Sequence, residues 1–115
     1  MELENQIMQI IVYAGNAKSL AMESIKKARL GEIDAAKNKM DESNKNLKEA
    51  HKFHAALLTE FASDEAQKAN LFMVHGEDHM MAAITSLDFA KELIFVHEKM
   101  GQLENQLQQL QNKEG

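Results

Sequence analysis

The sequence predicts an all-α protein, an antiparallel up-down-up three-helix bundle forming a single domain over residues 1–115. Three observations predict it. Apolar residues recur at steps of three and four along most of the chain, the spacing that gathers side chains on one face of a helix. Proline is absent, so nothing breaks a long helix from within. The pattern is interrupted at only two places, around Gly31 and at the stretch "ASDEA". These breaks divide the chain into helices expected at about 2–30, 32–62 and 66–110.

In the first helix Leu3, Ile7, Ile10, Ala14, Ala17, Ala21, Ile25 and Ala28 share a face. Gly31 follows where a left-handed C-terminal cap belongs. The second helix repeats the pattern through Ile33, Ala36, Met40, Leu47, Ala50, His54, Leu57 and Phe61, with Ser43 as its polar member. Ser63 or Asp64 then offers an N-cap for the third helix, with Asp64 and Glu65 at its positive end.

The third helix is the longest. Leu110, Leu107, Leu103, Met100, Val96, Leu93 and Phe89 keep a strict 3-4 spacing, and the same register upstream passes through Ser86, Ala82, His79 and His75. The histidines therefore lie on a seam that packs against another helix, on an inner or an interfacial face. At about 1.5 Å per residue this helix outruns its two partners by several turns. Its tail, "MGQLENQLQQLQNKEG", reads either as bundle core or as an intersubunit coiled coil.

Composition narrows the function. Net charge is −5 with no basic stripe, which disfavours nucleic acid as a partner, and cysteine is absent, which excludes disulfides and thiol-ligated metal. The start, "MELENQIMQIIVYAG", lacks the basic and apolar regions of a signal peptide, and no apolar run nears the roughly 18 residues of a membrane span. A cytoplasmic helical protein is expected. At 115 residues it would bury more surface as an oligomer.

The chemistry concentrates in "HGEDHMM", residues 75–81. An isolated histidine on an apolar face, such as His54 or His97, is most simply a satisfied core residue. His51 and His54 lack a carboxylate that would make them a metal pair. Met73, Met80 and Met81 are ordinary gap fillers. His75 and His79 differ because Asp78 accompanies them. A zinc-protease motif needs glutamate directly after the first histidine; Gly76 stands there, and Glu77 lies about 200° round the helix from His75. A zinc site of two histidines and Asp78 would still need ligands that the sequence does not display. No serine or cysteine elbow and no phosphate-cradling loop is present. Two readings remain. In one, the imidazole of His75 is a nucleophile, His79 one turn on holds the ring or the phosphoryl oxygens, and Gly76 leaves room for a partner. In the other, the cluster is a polar plug that sets helix register in a non-catalytic oligomerisation protein.

At these residues the chain resembles the lactose/cellobiose-class IIA components of the bacterial phosphoenolpyruvate-dependent sugar phosphotransferase system. Their hallmark, roughly H-A/G-Q-D-H-L-M, stands here as "HGEDHMM". The stretch "IVYAGNAKSLAMESIKKARLGEIDAA" is similar to the family's first helix and turn, and "EAHKFHAALL" to its middle-helix A-H-x-x-Q-T segment. The resemblance implies a phosphocarrier. His75 would take a phosphoryl group from HPr and pass it to a cysteine of the cognate IIB, for sugar entering through the membrane component IIC. His79 would support the phosphoryl site. It also implies a homotrimer in which three copies of Asp78 share a divalent cation, Mg2+. The transported sugar would be a β-glucoside or disaccharide such as cellobiose or lactose.

Four positions depart from the pattern. Glu77 replaces the family's glutamine, His54 and Ala55 replace its Gln-Thr, and Met80 replaces leucine at similar volume. Glu77 is expected either to be solvated or to approach a neighbouring subunit's phosphoryl group.

Overall fold

Helix α1 (Leu3–Arg29) stops at a turn that requires glycine. Gly31 has φ +82°, a left-handed conformation that a Cβ would strain. Its N–H donates to the Ala28 carbonyl and the Glu32 N–H to the Lys27 carbonyl, each at 3.0 Å, and together these bonds close a Schellman motif. The Glu32 carbonyl then accepts the Ala36 N–H at 3.0 Å, so α2 (Ile33–Ser63) starts at once and runs back along α1. Helix α3 spans Leu71–Glu114. The computed structural model describes residues 2–63 and 71–114, and among these there is no strand.

Side-chain pairings give the directions. Ser43 meets Ala17, Tyr13 stacks on Phe53 with ring centroids 6.0 Å apart, and Gln6 Nε2 donates to Glu60 Oε1 at 3.1 Å. Numbers rise in α1 as they fall in α2, so these helices are antiparallel. Leu3 borders one hollow with Leu71 and Phe72, and Ile7 lies against Gly76, so numbers rise together and α3 runs parallel to α1. Contacts of His54 with Glu77 and of Lys37 with Glu98 make α2 and α3 antiparallel. The bundle is up-down-up, as expected.

Alanines hold it together closely. Ala14, Ala17, Ala21, Ala36, Ala50, Ala83 and Ala90 are all fully buried, and these short side chains let the helix axes approach. Ile7, Ile10, Leu57 and Leu87 fill the remaining space, each worth about 1.5–3 kcal/mol on burial. Close approach also brings the Ser43 hydroxyl within 2.6 Å of the Ala17 carbonyl, so a buried polar group of α2 is satisfied by the backbone of α1.

The expected faces of α1 and α2 are the observed ones, except that Gln6 and Ser24 are buried as well. Helix α3 differs. Its inward face is Gly76, Met80, Ala83, Leu87, Ala90 and Ile94, and not the more apolar 3-4 seam. That seam lies outside: Phe89 is 65% exposed, Val96 46% and Leu103 63%. Of the two locations open for the histidine-bearing seam, the inner one is excluded, since the seam lies on the outer side of the chain. The tail is not bundle core. Ile94 is the last core residue, and beyond Glu98 the helix projects past its partners, giving a molecule 76 Å long and 18 × 17 Å across.

Helix boundaries shift slightly from those expected. Helix α2 ends at Ser63, and the stretch expected to start α3, with Asp64 and Glu65, falls outside the described residues. Helix α3 continues to Glu114, past the expected end near 110.

Candidate active site

The first turns of α3 carry the cluster at the end of the bundle where α1 begins and α2 finishes. His75 is exposed and His79, one turn further, is half-buried. Their Nε2 atoms stand 3.1 Å apart, with ring centroids 4.5 Å apart and planes at 84°. Such a contact is a hydrogen bond when one ring carries its proton at Nε2 and the other presents a lone pair there. In that pair of tautomers an acceptor nitrogen and an N–H donor sit side by side at an open surface. That is what a nucleophilic imidazole with a supporting imidazole needs.

Asp78 is exposed on the same outer side. With His75 it borders a shallow apolar hollow formed by Leu71, Phe72 and Val74. Among the described residues of one chain, no three His, Asp or Glu side chains converge as a metal site. The zinc arrangement of His75, His79 and Asp78 is therefore not assembled within a chain. A shared cation would need the single carboxylate of Asp78 to be supplied by several copies, and its exposed position allows that.

Glu77 is not freely solvated: its side chain is 39% exposed and is held by a partner within its own chain. It reaches α2 and pairs with Nε2 of His54, whose side chain is 18% exposed. The carboxylate points away from His75, as its position on the helical wheel requires. His54, expected to be a satisfied histidine on an apolar face, is satisfied by the motif's acidic residue. Sequence reasoning noted both departures and did not connect them. The available signal was that two departures from one pattern, on helices predicted to be adjacent, are of opposite charge character.

Gly76 also has a different role from the one expected. A Cβ there would lie 3.1 Å from Cγ2 of Ile7, so the glycine lets α1 lie close against the histidine turn and opens no path for a partner. His51 is exposed, away from the cluster, and His97 is half-buried near the far end of the bundle.

Residues 5–98 match the family model for the lactose/cellobiose-specific IIA subunit of the phosphotransferase system. Over 99 residues the chain is 41% identical to the cellobiose-specific EIIA component of Lactococcus lactis, covering 86% of this chain and 85% of that protein. The crystal structure of the cellobiose-specific enzyme IIA from Bacillus anthracis superposes with a TM-score of 0.81 at 33% identity, over 88% of this chain and 94% of that one. A solution structure of the IIA(Chitobiose)–HPr complex of the Escherichia coli phosphotransferase system superposes with a TM-score of 0.71 at 34% identity, over 88% of this chain and 98% of that one. The chain thus belongs to the lactose/cellobiose-specific IIA family and is a sugar-specific IIA component of the phosphotransferase system.

Proposed function

We propose that this chain is a cytoplasmic phosphocarrier that accepts a phosphoryl group from HPr on His75 and passes it to a cysteine of its cognate IIB. The observation that carries the proposal is the 3.1 Å contact between His75 and His79 on the open side of α3. A relative of the same fold is known in complex with HPr, which supports HPr as donor. The lone pair on a ring nitrogen of His75 attacks phosphorus, the bond to the donor breaks with its electron pair, and an N–P bond forms. Nε2–H of His79 is placed to donate to a phosphoryl oxygen carried on Nε2 of His75, offsetting the added negative charge. Transfer onward reverses these steps toward the thiolate sulfur of IIB. With Glu77 held by His54, its carboxylate stays out of this site.

The working assembly is a homotrimer, and the 115 residues act as one IIA domain. In it, three Asp78 carboxylates would repel by about 3 kcal/mol per pair at about 5 Å and an effective dielectric of about 20. The three Asp78 carboxylates would hold a divalent cation such as Mg2+, which would neutralise their charge. The phosphoryl chemistry belongs to the two imidazoles. No described helix is long and apolar enough to cross a membrane, in keeping with a component that meets the membrane protein IIC only through IIB. The sugar is a β-glucoside or disaccharide such as cellobiose or lactose, and this component does not touch it.

The test is incubation with phosphoenolpyruvate, enzyme I and HPr. The parent should gain an acid-labile, base-stable phosphate, and His75→Gln should gain none while keeping its helical circular dichroism. Phosphate appearing on His79 in that variant would reassign the nucleophile. No phosphate on the parent would favour the non-catalytic oligomerisation reading.

A further inference from the structure

Up to Ile94, α3 carries two apolar stripes: the inner one against α1 and α2, and the outer one containing Leu93 and Val96. Beyond Glu98 only the outer stripe continues. Met100, Leu103, Leu107 and Leu110 extend it and are 48%, 63%, 57% and 60% exposed. The inner stripe's positions become Gly101, Glu104, Gln108 and Gln111. A single strict 3-4 stripe is the pattern of a coiled-coil seam, narrower than the face a helix turns to its own bundle. This stretch lies past residue 98, where the match to the family ends.

We infer that residues 99–114 are a trimerisation stalk, a parallel in-register coiled coil with the same stretch of two further copies of this chain. The inference rests on the three-fold assembly proposed above. Charge fixes the direction. With Leu93, Met100 and Leu107 at a positions, Lys99 falls at g and Glu104 at the following e, so in a parallel arrangement each Lys99 faces a neighbour's Glu104. The next such pair joins Gln106 to Gln111, two amides able to hydrogen-bond. An antiparallel arrangement would forfeit the Lys99–Glu104 pairing. Continuity argues the same way, because the stalk prolongs the stripe that carries His75 and His79, with Asp78 one position beside it, and so would lock the register of three active ends. Alone, this Gln-rich helix with Gly101 inside it is too short to be stable in water.

The test uses the full chain, a chain ending at Glu98, and the charge variants Lys99→Glu, Glu104→Lys and their double. Sedimentation equilibrium or native mass spectrometry over a dilution series gives the concentration for half-dissociation. Shortening the chain should raise it at least roughly tenfold, and each single charge reversal should raise it by a smaller factor that the double variant restores. Identical dissociation of the short and full chains would overturn the stalk. Single reversals that the double does not restore would overturn the parallel register, these exposed residues being ones whose exchange leaves the fold intact. A full chain that is monomeric throughout would overturn trimer and stalk together. A tail protected from hydrogen exchange only when another protein is added would assign the stripe to that partner and overturn the stalk. Phosphate uptake at His75 is scored separately, so the phosphocarrier reading stands or falls on its own result.

Discussion

Residues one turn apart on the same helix divide the work by direction. His75 and His79 share a face and meet through their Nε2 atoms, whereas Glu77 between them turns to α2 and His54. Replacing His79 by alanine should leave the acceptor nitrogen in place and remove one donor to the phosphoryl oxygens. Losing such a donor costs roughly a hundredfold in rate, measurable as slowed phosphate uptake from HPr with the final phosphate still on His75. An unchanged rate would remove His79 from the site. Glu77→Gln and His54→Ala should each cost about 1 kcal/mol in urea unfolding, since Glu77 is 39% exposed and its pairing is partly screened. A double-mutant cycle should show the two losses to be coupled. The phosphotransfer equilibrium with HPr should not move in Glu77→Gln, and a shift toward the phosphorylated form would mean the carboxylate does reach the phosphoryl group.

At the scale of elements, helical periodicity carried most of the information, and it failed where two stripes share one helix. The faces of α1 and α2 were legible because each buries a single stripe. On α3 the large residues Phe89, Leu93 and Val96 lie outside, and the inward stripe is built of Gly76, Ala83 and Ala90 among larger residues. Reading by hydrophobicity favours the larger side chains. Close packing favours the smaller ones, and packing decides which face turns inward. Gly31 was legible for the opposite reason, since a left-handed C-cap has few substitutes. Gly31→Ala should cost about 1–2 kcal/mol in thermal or urea unfolding, because a Cβ opposes φ +82° whatever the surrounding space. Gly76 follows different physics. Leucine there must displace Ile7, a β-branched side chain with little freedom, and should cost about 1–3 kcal/mol while twisting the His75 turn. Its unfolding midpoint and its phosphate uptake should fall together; a normal midpoint would mean that α1 yields easily.

The whole molecule is a narrow rod with an interior rich in alanine, and large apolar side chains such as Phe89, Phe95 and Leu103 stand exposed on the outer side of α3. If three chains associate, the melting temperature should rise with protein concentration, because association draws on the folded state alone. Asp78 then becomes the residue that works against assembly, since closing the outer stripes brings three exposed carboxylates together. A strong chelator should lower the melting temperature of the parent and raise its half-dissociation concentration. In Asp78→Leu the repulsion and the need for a cation vanish together, so the variant should melt at the same temperature with or without chelator, and no lower than the metal-loaded parent. The comparison separates an axial cation from general salt effects, because a screening salt acts on both proteins and a chelator at constant ionic strength acts on one. A parent whose melting and dissociation ignore the chelator would remove Asp78 from the role of metal ligand and leave it a solvated carboxylate beside His75.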